Sequence, residues 1–234
     1  MPRLRRFVLP GVALHAIQRG NNRTVCFRET SDYLVYLMHL KDLAAKMDCA
    51  VHAYCLMTNH VHLLITPASL AACIGLMRNL GQRYAQYFNR HHGRTGTLWE
   101  GRFRSCITES PEYVLACHRY IELNPVRAGM VCNPREYRWS SHAMNAGLRP
   151  GGFVDPHPDV VAFGGTEAYA RLFDDDLEPA MVQRIREAVA GGYPLCSESF
   201  KETFATQAPR RLERSRGGRP LTRSGERGGN KTGP

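Results

Sequence analysis

Long hydrophobic runs are missing from this sequence of 234 residues. No segment approaches the roughly 18 consecutive apolar residues that a membrane-spanning helix needs. The basic start, Met1-Pro-Arg-Leu-Arg-Arg-Phe7, is not followed by the apolar run of about 7–15 residues that a secretory signal requires. The sequence therefore predicts a soluble, cytoplasmic protein with no membrane partner.

Closely spaced cysteine pairs are also absent. The 8 cysteines are scattered along the chain, and none belongs to a CxxC motif. Disulfide scaffolds and structural zinc knuckles are built from clustered thiols, so this spacing argues against both classes. We therefore expect reduced cysteines that pack inside apolar segments.

Acidic residues are in the minority. The chain has 21 Asp and Glu against 31 Lys and Arg, which gives a net charge of +10. Such an excess favours a polyanionic partner, such as nucleic acid or an acidic membrane face, but says nothing about the fold. Because domains typically run to about 100–150 residues, this length predicts one main domain and an extension.

Local residue patterns predict alternating strands and helices in the first two thirds of the chain. Strand patterns cover 12–18, 49–57, 60–66 and 102–108, and helical patterns cover about 30–47, 73–90 and 111–124. This order matches a ferredoxin-like split βαβ arrangement. The predicted fold is thus α+β, with an RRM-like antiparallel sheet whose helices cover one face and leave the other free.

The composition changes after Trp139, where glycine and proline become frequent and helical patterns weaken. The last thirty residues combine many glycines with eight Lys and Arg, which predicts a disordered basic tail that contacts phosphates without sequence preference. We therefore predict a main domain over 1–149, a small helical accessory extension over 150–205 and the basic tail over 206–234.

Two histidines, His60 and His62, lie two residues apart in a predicted strand. Side chains at this spacing project from the same face, so both imidazoles can bind one cation. In a bare His-x-His pair, a packed histidine beside an exposed one is the commoner arrangement. Here a tight turn precedes the pair and the apolar Leu63-Leu64-Ile65 follows it, which fixes the strand as a platform for metal ligands.

A second group of polar residues lies at the end of the third predicted helix. Tyr120 and Asn124 are one turn apart and share a face, so a phenol and an amide oxygen can point at the same place. Two other roles fit the same spacing. Tyr120 can be a packed aromatic residue, and Asn124 can cap the helix before Pro125.

Four ordered motifs resemble those of a known family. They are Gln18-Arg-Gly-Asn-Asn-Arg23, Met57-Thr-Asn-His-Val-His62, Leu98-Trp-Glu-Gly-Arg-Phe-Arg104 and Tyr120-Ile-Glu-Leu-Asn-Pro-Val-Arg-Ala-Gly129. Over about residues 5–142 the chain resembles the single-tyrosine HUH transposases and, within them, the REP-associated tyrosine transposases. The resemblance implies that residues 1–149 form a catalytic domain.

The resemblance implies a metal-dependent enzyme that nicks and joins DNA. His60, His62 and Asn124 match the family's metal ligands, although some relatives have glutamine at the last place, and Tyr120 matches the nucleophile. A divalent cation, Mg²⁺ or Mn²⁺, is expected to polarise the scissile phosphate while the tyrosine attacks phosphorus. The implied products are a 5′-phosphotyrosine and a free 3′-OH. Attack by a second 3′-OH would then join two strands.

The implied substrate is single-stranded DNA with hairpin or palindromic elements, cut at specific sequences or hairpins. Basic side chains are expected to contact phosphates, and exposed aromatic rings to stack on bases. The predicted DNA-binding residues are Arg19, Arg83, Trp99, Arg102, Arg104 and Arg127. For Arg83 alone, a solvated basic helix face is an equally good explanation.

Two other functions fit parts of the pattern. A non-catalytic DNA-binding regulator could use the same scaffold, but all four predicted catalytic and metal-binding residues are present. An RRM-like RNA-binding protein would share the sheet, but the chain lacks the Lys/Arg-Gly-Phe strand signature of that class. Both a monomer and a homodimer are compatible with the sequence.

Overall fold

An antiparallel sheet forms the centre of the fold. The computed structural model describes residues 6–150 and 152–204. Its strands are β1 (Ala13–Arg19), β2 (Cys49–Met57), β3 (His60–Pro67) and β4 (Arg104–Thr108). They lie in the order β2-β3-β1-β4, and each neighbouring pair is antiparallel. This order confirms the ferredoxin-like α+β fold that the sequence predicts.

The helices begin and end at local sequence signals. They are α1 (Thr30–Lys46), α2 (Leu70–His91), α3 (Pro111–Glu122), α4 (Asn124–Arg127), α5 (His142–Asn145), α6 (Pro158–Phe163), α7 (Gly165–Arg171), α8 (Pro179–Gly191) and α9 (Glu198–Phe204). Ser69 and Ser110 cap α2 and α3 by accepting backbone hydrogen bonds. Pro125 lacks a backbone donor, and α3 ends just before it.

The first face of the sheet packs against α1 and α2. Because successive side chains of a strand point to opposite faces, one set of strand residues lines this side. Leu14 and Ala16 of β1 and Leu63 of β3 lie in a core that also contains Leu40 of α1 and Leu80 of α2. This arrangement follows directly from the predicted alternation and helical spacing.

The second face of the sheet is covered as well. Ala13, Ala53 and Leu64 pack against residues of α3 and α8 in a separate core. The buried residues of α8 are Val182, Ile185, Ala188 and Val189. The expectation that helices cover one face and leave the other free is therefore wrong. The apolar side of α8 finds its partner far away in sequence, so local pattern does not reveal its place.

The predicted extension therefore packs on the sheet through α8. The division into 1–149, 150–205 and 206–234 stays a prediction, and the tail lies outside the described residues. Seven of the eight cysteines are buried, as expected for packed thiols. Within 6–150 and 152–204, no helix combines the length and the apolar character needed to cross a membrane.

Candidate active site

A cavity of about 450 Å³ opens where the second face of the sheet meets α3 and α8. It brings together most of the residues that the sequence predicts for the site. Its lining consists of Ile17, Arg19, His60, His62, Glu100, Gly101, Arg102, Arg104, Tyr120, Asn124, Arg186, Val189 and Ala190.

Strand β3 places the two predicted histidine ligands side by side. The ring centroids of His60 and His62 are 4.9 Å apart, and β3 lies inside the sheet between β2 and β1. His60 Nδ1 lies 2.7 Å from Asn59 Oδ1, and His62 Nδ1 lies 2.9 Å from His15 Nε2. Within the described part of the chain, the Nε2 atoms of His60 and His62 form no hydrogen bond. These nitrogens are available to a cation.

Burial keeps the imidazoles of the site neutral. Desolvation lowers the pKa of His60 to about 4, and the nearby cation of Arg19 acts in the same direction. Burial also holds the pKa of His62 well below its usual value, and interactions with His15, His60, Arg127 and Arg19 act in the same direction. Burial likewise lowers the pKa of His15 to about 3. Neutral imidazole is the form that binds metals.

The other side of the cavity holds Tyr120 and Asn124. The Tyr120 ring centroid lies 5.7 Å from that of His62 and 5.6 Å from that of His15. Leu123 keeps a helical backbone between α3 and α4, so Asn124 follows Tyr120 by one turn. Asn124 Nδ2 donates to the Tyr120 carbonyl at 3.0 Å. This bond leaves the amide oxygen of Asn124 as an acceptor beside the cavity.

The donors that meet here suit a divalent cation. Two neutral imidazole nitrogens and one amide oxygen form a mixed nitrogen and oxygen set, which fits Mn²⁺ and, less strongly, Mg²⁺. Glu100 lines the same cavity. The residues present therefore fit the metal that the resemblance implies.

Another histidine and carboxylate group lies on the opposite side of the sheet. Potential ligand atoms of Glu29, His91 and His92 lie within 4.8 Å of one another. They join the start of α1 to the end of α2, and His92 Nε2 contacts the buried carboxylate of Asp32 at 3.0 Å. This group is remote from Tyr120 and is separate from the candidate active site.

Three of the predicted DNA-binding arginines surround the cavity. Arg19, Arg102 and Arg104 are exposed and line it. Arg127 lies against the other side of Tyr120, with its guanidinium carbon 4.5 Å from the ring centroid, and it donates to the Tyr120 carbonyl. Its positive charge lies at the end of α3, where unpaired carbonyls carry partial negative charge.

Two other predicted DNA-binding residues lie elsewhere. Arg83 of α2 forms an ion pair with Asp42 of α1 at 3.2 Å, on the opposite side of the sheet from Tyr120. Trp99 is 7 % exposed, and its indole nitrogen donates to the Gly81 carbonyl at 2.9 Å. The expectation that Trp99 is an exposed aromatic ring is wrong, because the segment before β4 packs this ring against α2.

The acid and base candidates closest to Tyr120 in sequence point away from the cavity. His118 Nδ1 lies 3.2 Å from the hydroxyl of Tyr169. Glu122 is fully buried and accepts hydrogen bonds from the side chains of Ser141, Asn145 and Tyr169. Both residues connect α3 to the region that follows it, and neither lines the cavity.

Sequence reasoning missed His15, Glu100 and Arg186. His15 contacts His62 because β1 pairs with β3, and this pairing could have been proposed only after the sheet order was known. Glu100 lies inside the Leu98–Arg104 motif, which was the one local signal for it. Arg186 belongs to α8, and no local pattern connects that helix to the site.

Comparison with known proteins identifies the family. The sequence model of the family described as "Transposase IS200 like" matches residues 9–124. No curated protein matches the chain. A solved REP-associated tyrosine transposase bound to a REP hairpin is similar with a TM-score of 0.51 and 18% identity, over 68% of this chain and 96% of that chain. A candidate transposase from Deinococcus radiodurans R1 gives a TM-score of 0.34 and 23% identity, over 45% of this chain and 84% of that one.

The likeness to the REP-associated transposase, at 18% identity, supports the fold alone. The family match is the stronger finding, because it runs from the start of the sheet to Asn124 and includes His60, His62 and Tyr120. The match therefore places residues 9–124, which contain the sheet and Tyr120, in the family of IS200-like transposases.

Proposed function

We propose that the protein cuts and rejoins single-stranded DNA through a covalent intermediate on Tyr120, assisted by Mg²⁺ or Mn²⁺. The observation that carries the proposal is the cavity on which Tyr120, His60, His62 and Asn124 converge. A hairpin in the DNA is the proposed recognition element. It is supported by the likeness in fold to a transposase bound to a REP hairpin.

The cation would be held by His60, His62 and Asn124. When bound, it would polarise the scissile phosphate and offset negative charge on the phosphate oxygens. The neutral state of the two imidazoles and the available amide oxygen of Asn124 support this assignment.

The nucleophile is the hydroxyl of Tyr120, which has no hydrogen-bond partner among the described residues. After the phenol loses its proton to water in the open cavity, its oxygen attacks phosphorus, the bond to the 3′ oxygen breaks, and the departing 3′ oxygen takes up a proton from water. The products are a 5′-phosphotyrosine and a strand with a free 3′-OH. Because the number of phosphodiester bonds is conserved, attack by another 3′-OH reverses the step and joins strands without ATP.

The exposed guanidinium groups around the cavity would hold the DNA backbone. Arg19, Arg102 and Arg104 come from two different segments and reach the same opening. Contacts with phosphates on either side of the scissile bond would keep the strand in place for in-line attack.

The test is to trap the covalent adduct. Labelled single strands with palindromic hairpins, incubated with Mn²⁺, are expected to give a protein–DNA adduct that survives denaturing electrophoresis. Tyr120→Phe should abolish the adduct and preserve the fold and DNA binding, since only one hydroxyl is removed. Peptide mapping should find the nucleotide mass on Tyr120.

Tyr113→Phe is the matched control, because Tyr113 lies on the same helix, with the Arg184 guanidinium over its ring at 4.8 Å. It should retain full adduct formation, as should Tyr87→Phe. A nucleotide mass on a different tyrosine, or no adduct with any hairpin strand, would overturn the assignment.

A further inference from the structure

A second cavity, of about 550 Å³, lies next to the candidate active site. It is formed between α2 and the segment that leads into β4, on the first face of the sheet. Its apolar lining consists mainly of Ile74, Met77, Leu98, Trp99 and Phe103. Gly101 and Arg102 line both cavities. One segment of chain therefore separates this cavity from the place where Tyr120 would hold DNA.

A buried amide faces the second cavity. Gln18 is 7% exposed, and among the described residues its Oε1 has no hydrogen-bond partner. Alternation along β1 directs Gln18 to the α2 side of the sheet and Arg19 to the active-site side. Buried polar atoms are nearly always paired, so this oxygen points to a ligand that supplies a donor.

Gly81 of α2 provides the space that this amide occupies. A Cβ at position 81 would lie 2.9 Å from Gln18 Nε2 and 3.5 Å from Trp99 Nε1. Any larger residue would displace the amide or fill the cavity beside it. The glycine thus leaves room for the amide of Gln18 beside the cavity.

Cationic side chains surround the opening. Arg78 and Arg102 are exposed at its edge, and the guanidinium carbon of Arg6 lies 3.8 Å from the centroid of the Phe103 ring. Apolar walls stack on the faces of a nucleobase, and an unpaired amide forms hydrogen bonds with its edge. Surrounding arginines bind the phosphates on either side. A sugar or a peptide would not need apolar walls, an unpaired amide and surrounding arginines together.

We propose that the second cavity binds one unpaired nucleobase of the strand held at the candidate active site, and that Gln18 recognises its edge. The proposal rests on the proposed function, because it requires single-stranded DNA at the neighbouring cavity. The expected base is adenine. Its N6 amino group donates to a carboxamide oxygen while N7 accepts from the carboxamide nitrogen, a two-bond pairing that glutamine side chains favour.

The experiment uses the full chain in EDTA and a set of labelled hairpin oligonucleotides. In each one, a different nucleotide of the single-stranded flank is replaced by an abasic site, and binding is measured by fluorescence anisotropy. One flank position should show about a tenfold or greater decrease in affinity when its base is removed. At that position adenine should bind better than cytosine, guanine or thymine.

Gln18→Met keeps the volume of the side chain and removes the amide. It should abolish the preference for adenine and leave the affinity for the abasic oligonucleotide unchanged. Gly81→Ala should have the same effect, since its methyl group occupies the space beside the amide. Gln82→Met is the matched control, because Gln82 lines the same cavity from an exposed position, and it should retain the preference.

Adduct formation on the same oligonucleotides with Mn²⁺ separates the two proposals. If the adduct forms and no flank position is sensitive to its base, the nucleobase site is wrong and the proposed function stands. The same holds if a sensitive position exists but Gln18→Met and Gly81→Ala both retain the adenine preference. If neither binding nor adduct is found with any hairpin strand, both proposals fail.

Discussion

The hydrogen bond between His15 and His62 determines which nitrogen of His62 is left for a cation. The two atoms, His62 Nδ1 and His15 Nε2, are 2.9 Å apart, so one must donate and the other accept. A metal bound to Nε2 of His62 requires that His62 donate through Nδ1. His15 then keeps its own proton on Nδ1, an atom without a partner in the described residues. His15 is thus a positioning residue that holds the ring and tautomer of His62.

His15→Ala should therefore weaken Mn²⁺ binding by about 10–100-fold, the usual cost of removing a residue that orients a metal ligand. Isothermal titration calorimetry without DNA measures this affinity directly. His62→Ala should abolish Mn²⁺ binding at the site. The binding that remains in this variant measures how much Mn²⁺ binds elsewhere on the protein. His39→Ala, on the other side of the sheet, should change nothing. An unaltered affinity in His15→Ala would contradict the positioning role.

The histidine pair could be predicted from sequence, and its partner could not. His60 and His62 share a face because side chains alternate along any strand, which is a local property. His15 lies 47 positions from His62 and meets it only through the pairing of β1 with β3. The wrong expectation for Trp99 has a different origin, since its ring packs on α2, the helix just before it, and no local pattern shows that the chain folds back there.

Another buried histidine, His52, makes the stability of the fold depend on pH. Its ring nitrogens lie 2.8 Å from the Thr66 hydroxyl and 2.8 Å from the Asp155 carbonyl, and the His157 ring centroid is 4.7 Å away. Burial lowers the pKa of His52 to about 4; the hydrogen bond with the Asp155 carbonyl opposes this effect, and His157 adds to it. Since the pKa of a histidine in the unfolded chain is about 6.5, the unfolded chain binds a proton before the folded chain does as the pH falls.

The free energy of unfolding should therefore decrease as the pH falls from about 6.5 to 4. The contribution of His52 should reach about 2 kcal/mol at pH 5. Urea denaturation at pH 7 and pH 5 measures the loss, and His52→Gln should reduce it by about this amount. If the wild type and His52→Gln lose equal stability between the two pH values, this histidine is not responsible.

Among the secondary-structure elements, α3 connects the site to the region after it. Tyr120 faces the cavity, while the buried carboxylate of Glu122 accepts hydrogen bonds from the hydroxyl of Tyr169 at 2.7 Å and from the amide of Asn145 at 2.8 Å. Helices α5 and α7 thereby hold the helix that carries the proposed nucleophile. Because α3 and α8 cover the second face of the sheet, the open face on which an RRM-like protein binds RNA is not present here.

The strands and the first three helices could be predicted because each has a complete local signal, a cap or a turn beside a regular apolar pattern. The role of α8 could not be predicted in this way. Its apolar stripe is short, and the sheet face that it covers is defined by residues more than a hundred positions earlier, such as Ala53 and Leu64. A helical pattern indicates that one side is buried but does not identify the surface that buries it.

Loss of packing at α8 should therefore destabilise the whole fold. Ile185 is fully buried in the core between α8, α3 and the sheet, so Ile185→Ala should lower the free energy of unfolding by about 2–5 kcal/mol. Urea denaturation measures this change. Glu187→Ala, on the exposed side of the same helix, should cost less than about 1 kcal/mol. Equal small effects for both variants would mean that α8 contributes little to the core.

At the scale of the whole molecule, positive charge is concentrated at one end of the sequence. The last thirty residues carry eight Lys and Arg and two Glu, so they hold six of the ten net positive charges. The arginines around the cavity, among them Arg19 and Arg104, are a separate proposed source of phosphate contacts. Affinity for DNA should therefore have two parts, one from the cavity and one from the tail predicted over 206–234.

Deletion of 206–234 separates these two parts. The truncated chain should bind single-stranded DNA more weakly at low salt. The slope of log affinity against log salt concentration should become shallower by about 0.7 for each phosphate that the tail would otherwise neutralise. Adduct formation at saturating DNA should be unchanged, because Tyr120 and the cavity residues all lie before the deletion. Fluorescence anisotropy across a salt series gives the slope, and denaturing electrophoresis gives the adduct. An identical salt slope in both proteins would show that the tail does not bind DNA, since neutralising a phosphate displaces counterions whatever the base sequence.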